Sequence, residues 1–340
     1  MIRFLDKHTR IPVPSIRFFD FTSNNPLGQR YCIQPRLPGA NAMLAYPKLN
    51  IQQKVSFASE YGKALAGMQA KTYSCAGILD PKGTRGDFEQ VPMHQFDVPP
   101  RDFHGRFGDF SDCPGPPAVP QTTLDFLLSM FKRQRTFDLK HNRIYLNPWE
   151  ELTKVAHAMN DIGLFDDNKY YVTHMDLEPR NLLVHVKDDG TATLGGILDW
   201  DSGVFAPRWM GCKPPSWLRD WQYDDDEDEL KANKTPVDPG MQEVKYKFEE
   251  AIGQDWLRYA YTPEYRIARN VCLLALRGTN DSDAYRLVDS TIEEWEKLHP
   301  FPDVTDEVED EMEVGEESSS DEDSDPSPSQ GPDVEPSSIL

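Results

Sequence analysis

An α+β architecture is predicted for this 340-residue chain from three features of its pattern. These are a short β-rich opening over residues 15–36, a hairpin signal at Asp189-Gly190, and helical apolar periodicity through most of the remainder. Taken in order, Met1–Lys7 reads as the last turns of a helix, and Thr9–Pro14 must be extended around its prolines. Ser15–Phe21 and Arg30–Arg36 are predicted strands, joined by the turn Asn24-Asn25-Pro26-Leu27-Gly28 and leading into Leu37-Pro38-Gly39. From Ile51 the apolar residues Val55, Ala58, Tyr61, Leu65 and Met68 recur at three and four positions, which marks a helix of about five turns. Residues 77–120 are rich in Gly and Pro without a sustained period, the mark of a functional or insertion loop. Helices are expected at Thr123–Phe131 and Trp149–Met159, then at 241–260, 263–277 and 283–297. Residues 301–340 have the composition of a disordered tail.

Charge and cysteine usage exclude several classes of function. The chain holds 57 Asp and Glu against 36 Lys and Arg, for a net charge of −21. Fifteen of the acids lie in 301–340, which has no Lys or Arg, and this leaves −6 on the first 300 residues. Such a balance has the wrong sign for holding nucleic acid or an anionic membrane by charge. Cys32, Cys75, Cys113, Cys212 and Cys272 are odd in number and form no C-x-x-C pair, so they read as reduced thiols of a cytoplasmic protein. No stretch approaches the roughly 18 apolar residues of a membrane span.

One segment carries the chemistry, from Tyr171 to Asp201. Asp189-Gly190 is a two-residue hairpin signal of type I′, and its flanks, residues 182–187 and 191–198, are β-rich. With those two residues as the loop, Asp188 pairs with Thr191 and Asn181 falls opposite Leu198. Asn181 and Asp199 then emerge side by side at the open end, with Asp176 five residues upstream. Carboxylates brought together repel unless they share a cation or a proton. A few hard oxygen ligands with open positions suit Mg²⁺ held together with phosphate oxygens. The competing structural reading makes all three residues turn caps at strand ends.

The strings His174-Met-Asp176-Leu-Glu-Pro-Arg180-Asn181 and Ile197-Leu-Asp199-Trp-Asp201 resemble the aminoglycoside phosphotransferase/choline kinase family, closest to its uncharacterised fungal members. Ile11-Pro-Val-Pro14, Gly28–Tyr31 and Gln34–Gly39 extend the likeness over roughly residues 1–300. The resemblance implies a protein-kinase-like fold with a truncated N-terminal β-lobe and a mostly helical C-terminal lobe that carries the hairpin. Its domains would be an N-lobe remnant and hinge at 1–39, the helical lobe at 40–300 and the acidic tail at 301–340. It further implies phosphoryl transfer from ATP to the hydroxyl of a small-molecule substrate with Mg²⁺. Asp176 would be the base, Asn181 and Asp199 the metal ligands, and His174, Arg180 and Asp201 supporting groups. Gln34, Pro35 and Arg36 would form the nucleotide hinge.

Such a fold covers the phosphates with a Gly-rich loop and presents a Lys to them. Only about thirty residues precede the hinge, and Gly83–Gly86 and Gly105–Gly108 lie after it. The expectation is that these parts are missing, that residues 1–9 are the tail of the helix bearing the Lys's Glu partner, and that either a gene model or transcript begun too late, the favoured reading, or a natural truncation that holds ATP poorly explains it. A second functional reading is a non-catalytic binding or regulatory protein. A third, a metal oxygenase using His174 and Asp176, needs a distal His on a sheet, and after residue 201 only His299 is available. Trp200, Trp209, Trp217 and Trp221 are assigned to packing, and Asp224–Glu229 to a solvated loop. For Ser318–Asp323 two readings stand, a phosphate-accepting or partner-binding segment and a solubilising tail.

Overall fold

Prolines, caps and glycines divide the chain into its elements. The computed structural model describes residues 1–20, 22–79, 93–98, 116–141, 147–221 and 229–300. Gly83–Gly86, Gly105–Gly108, Cys113, Asp224–Asp228 and the tail lie outside these residues. Helix α1 (Ile2–His8) buries Phe4 and Leu5. The proline-bearing segment after it runs beside the hairpin, where Pro12 O accepts from Ile197 N at 2.9 Å. Strands β1 (Phe18–Asp20) and β2 (Tyr31–Ile33) pair antiparallel as a two-stranded ribbon. Both are shorter than predicted, because no third strand among the described residues extends their ladder.

Residues 34–39 then lead to β3 (Ala40–Asn41) and α2 (Ala42–Ala45), which the sequence pattern did not reveal. Helix α3 (Ile51–Met68) has the predicted bounds and opens on a capping box of Asn50 and Gln53. After β4 (Thr72–Tyr73), the stretch expected to lack structure contains β5 (Ile78–Leu79) paired with β6 (Met93–His94). Two-residue strands are too short for periodicity to register.

Helix α4 (Thr123–Lys140) runs well past the predicted Phe131. Its second half buries Gln134, which donates to Ala275 O at 2.9 Å, and Asp138, which accepts from Trp149 Nε1 at 2.8 Å. These buried polar groups break the apolar stripe without breaking the helix. Helix α5 (Pro148–Asp161) follows. A sheet then centres on β7 (Tyr170–His174), all five residues of which are buried and which β4 flanks on one side. Strands β8 (Leu182–Val186) and β9 (Ala192–Ile197) form the hairpin, with β3 on the outer side of β8. Strand β10 (Gly203–Pro207) returns antiparallel to β7.

The remainder is helical. The single helix predicted over 241–260 is two, α6 (Pro239–Ile252) and α7 (Gln254–Tyr261), because Gly253 adopts φ 88° between them. Helices α8 (Pro263–Arg277) and α9 (Ser282–Leu298) complete the fold. Residues 1–300 form one compact unit around a continuous apolar core that includes Phe4, Leu65, Val172, Trp256 and Trp295. Helix α3 lies so close on α6 that a Cβ at Gly62 would sit 2.9 Å from Phe248 O. Trp200, Trp209 and Trp217 are buried, and Trp217 packs on Tyr46, Tyr61 and Trp221. Among the described residues no helix is long and apolar enough to cross a membrane.

Candidate functional site

The hairpin arrives at the predicted register by an unpredicted route. Neither Asp189 nor Gly190 has positive φ, so the loop is not the type I′ turn read from the sequence. The side chains that open α3 hold the loop's carbonyls instead: Asn50 Nδ2 donates to Asp189 O at 2.6 Å and Gln53 Nε2 to Asp188 O at 2.9 Å. Asp188 also bridges the turn, accepting from Gly190 N at 2.9 Å, and that bond is the main reason its carboxyl lies below the usual range. Near the turn, Val186 stands opposite Ala192, one residue out of the predicted register. A bulge around Gly195 then shifts the ladder back, so that Leu182 faces Ile197 and Leu198 N donates to Asn181 O at 2.8 Å. Glycine is required at 195, since an added Cβ would lie 2.1 Å from the backbone oxygen Pro38 O, whereas at Gly196 it would meet the movable Leu37 Cδ1 at 2.3 Å.

At the open end the side chains are closely tied. Strand β7 ends in His174, whose Nε2 meets Leu198 O at 2.8 Å while Nδ1 accepts from Asp176 N at 3.2 Å. An accepting Nδ1 puts the proton on Nε2, so the ring is the neutral tautomer. Burial pushes the imidazole below its usual range, against the opposing pull of the Leu198 carbonyl and the Asp176 and Asp199 charges. His174 thereby fastens the start of the 175–181 loop to the end of β9. At the loop's other end Asn181, itself buried, donates from Nδ2 to Asp176 O at 2.8 Å and to Asp176 Oδ2 at 2.9 Å. Arg180 is ion-paired with Asp176 through Oδ1.

Asp199 follows directly on Leu198, so its backbone lies beside that of Asn181. It is the one non-glycine with positive φ among the described residues, at φ 57° and ψ 59°. It heads a short 3₁₀ turn, yet its carboxylate makes no capping hydrogen bond. Asp201 is exposed, and its charge opposes the burial that lowers the Met1 ammonium. Gln34 and Arg36 are exposed and Pro35 half-buried on the connector between β2 and β3. Among the described residues no group of three or more His, Cys, Asp or Glu surrounds a common point. The site thus brings together Asp176, Asn181, Arg180 and His174, with Asp199 adjoining through the backbone.

Two contributors were not picked out in the sequence. The capping pair Asn50 and Gln53 carries a readable signature, Asn followed three residues later by Gln at the start of an apolar run. Asn41, which donates to Arg180 O at 2.6 Å, carries none, because its partner is 139 residues away.

Comparison with known proteins gives a family match and several similar folds. Residues 1–210 match the model of the phosphotransferase enzyme family. Among solved structures, the chain is similar to ADP-bound aminoglycoside phosphotransferase APH(2'')-Ib, at 12% identity over 86% of this chain and 79% of that one, with a TM-score of 0.44. It is similar to the streptomycin-ATP complex of APH(2'')-IIa at 12% identity, over 86% of this chain and 77% of that one, with a TM-score of 0.45. It is also similar to macrolide 2'-phosphotransferase MphH from Brachybacterium faecium at 15% identity, over 89% of this chain and 78% of that one, with a TM-score of 0.39. No curated protein matches the chain.

Proposed function

The chain belongs to the phosphotransferase enzyme family, and from that membership we propose that it transfers the γ-phosphoryl group of ATP, with Mg²⁺, to a hydroxyl group of a small molecule. The observation that carries this reading is the pairing of Asn181 with Asp176. Both bonds leave from Nδ2, so the Asn181 amide oxygen is turned out of that pair. That oxygen, with the Asp199 carboxylate that caps nothing, is a donor set of hard oxygens, few in number, as Mg²⁺ on phosphates prefers. When bound, Mg²⁺ supplies positive charge to the phosphate oxygens.

The chain's own residues do the rest. Asp176 accepts the hydroxyl proton as the acceptor oxygen attacks phosphorus. Asn181 holds the Asp176 carboxylate in orientation through Oδ2, and Arg180 does so through Oδ1. His174, fixed at both ring nitrogens, keeps the loop against β9. Gln34, Pro35 and Arg36 receive the nucleotide base, and Asp201 supports the second acidic turn. Replacing Asp176 with Asn is expected to lower turnover by about 10²–10⁴-fold without loss of fold. The measurement is ADP release from MgATP over a panel of sugars, amino alcohols and other small alcohols, and unchanged turnover removes Asp176 from the role.

One observation favours a non-catalytic binding role: both oxygens of Asp176 already have partners. Each carboxylate oxygen can accept more than one bond, so occupancy alone does not block a base. A protein that releases no ADP with any acceptor, and whose melting does not respond to ATP with Mg²⁺, would support that second reading.

A further inference from the structure

Asn41 ends β3, opposite Leu183 on β8, and its side chain works in two directions. Oδ1 accepts from Met43 N at 3.0 Å and so caps α2, while Nδ2 donates to Arg180 O at 2.6 Å. The amide can face only one way, since turning it would set donor against donor and acceptor against acceptor. The carbonyl it grips belongs to the peptide joining Arg180 to Asn181. On the other side of that peptide Asn181 N donates to Glu178 O at 2.8 Å. The plane of the Arg180–Asn181 peptide is therefore held from both sides, and that plane decides where the Asn181 side chain falls. Capping alone does not call for an amide, because Asp and Ser cap a helix as well as Asn does. A carboxylate has no donor for the loop, and a Ser hydroxyl must make both bonds from one oxygen that lies an atom nearer the backbone than the amide's two ends. Helix α2 sets Ala42 in the core and leaves Met43 and Leu44 42% and 69% exposed.

We propose that Asn41 is a positioning residue that locks the Arg180–Asn181 peptide, so that Asn181 bonds Asp176 through Nδ2 and presents its oxygen to the metal ion. Through β3 and α2 it also ties the 34–39 connector to that loop. The metal-facing part of the proposal rests on the phosphotransferase reading above; the clamp itself does not.

Asn41→Asp and Asn41→Ser separate the two roles: each keeps an acceptor for Met43 N, while Asp has no donor and the Ser hydroxyl, a single oxygen one atom nearer the backbone, does not replace the Nδ2 bond to Arg180 O. In the full 340-residue chain, hydrogen exchange is followed at the amides of 180–182 and of 43–46, and Mn²⁺ binding is followed by electron paramagnetic resonance. Both variants are expected to exchange faster at 180–182 with 43–46 unchanged, and to bind Mn²⁺ about tenfold or more weakly, as loss of a ligand's outer support commonly does. Exchange at 180–182 and Mn²⁺ affinity equal to the parent's in both variants overturns the proposal. Should the parent bind no Mn²⁺, the metal reading of Asn181 fails, while the exchange comparison still decides the clamp: faster exchange upholds it and unchanged exchange removes it.

Discussion

Asp199 occupies a conformation that most residues avoid. A left-handed backbone costs an L-residue roughly 1–2 kcal/mol, and Asp or Asn bears it better than Ala. With no capping bond to recover that cost, the carboxylate has no evident structural reason to be there. Asp199→Gly should therefore be more stable than Asp199→Ala by about 1 kcal/mol in chemical denaturation, reversing the order found at ordinary positions. Both variants should lose Mg²⁺-dependent turnover, and a variant that keeps it removes Asp199 as a ligand. His174 gives a pH test at the same scale. Its folded imidazole lies below the ordinary 6.5, so above that value neither state is protonated and its contribution to stability is complete. As the pH falls, the unfolded chain takes up a proton that the folded chain refuses, and stability declines. Unfolding free energy should drop between pH 7.5 and 5.5, and His174→Gln should be less stable at pH 7.5 yet flatter across that window; an equal slope rules out this origin. At this scale the spacing of Asp176, Asn181 and Asp199 was legible because it lies within one short stretch, whereas Asn41 was not, because its bond is made only by tertiary folding.

At the scale of the element, the hairpin shows how a pattern can predict the right endpoint through compensating differences. The sequence reading assumed a tight loop and an unbroken ladder. The protein keeps Asp188 bonded to Thr191 in both directions at 3.4 Å, in a turn of another type held by Asn50 and Gln53, while the ladder from Val186 is one residue out until a bulge at Gly195 returns it. Tertiary hydrogen bonds at the turn outweighed the local preference of Asp-Gly, and the Pro38 carbonyl forced the glycine at 195. The two readings predict opposite mutational outcomes. In a type I′ turn Gly190 would be the sensitive position. Here its φ is not positive and an added Cβ would have only Asp188 Oδ1 nearby, at 3.7 Å. Gly190→Ala should shift stability by no more than about 0.5 kcal/mol. Gly195→Ala drives a methyl into Pro38 O and should cost about 1–3 kcal/mol. Thermal or denaturant melts of the two variants decide between the readings. Amphipathic α3 was legible to the residue, since its stripe runs its full length, while the end of α4 was hidden by buried Gln134 and Asp138.

For the whole molecule, the α+β division into a small β opening and a helical body was legible from where the apolar period changes. The way the elements share one core was not. Cys212, after β10, and Cys272, on α8, are both fully buried, and burial pushes the Cys212 thiol up to about 12 and raises Cys272 likewise. They belong to different elements but to the same packing: Arg269 on α8 is ion-paired with Glu229 and donates to Trp209 O at 3.3 Å, close to the turn that carries Cys212. Opening one thiol to solvent should therefore open the other. Cys32 is exposed on β2, on a two-stranded ribbon outside that core. With a thiolate-selective reagent at pH 8, Cys32 should react in the native protein, because reaction follows thiolate access. Cys212 and Cys272 should stay protected until denaturant unfolds the chain, and both should then react at one midpoint, shared with the loss of helical circular dichroism. Reaction of Cys272 at a lower denaturant concentration than Cys212 would show that α8 leaves the body as a separate unit, and that the core, though continuous in space, does not unfold as one.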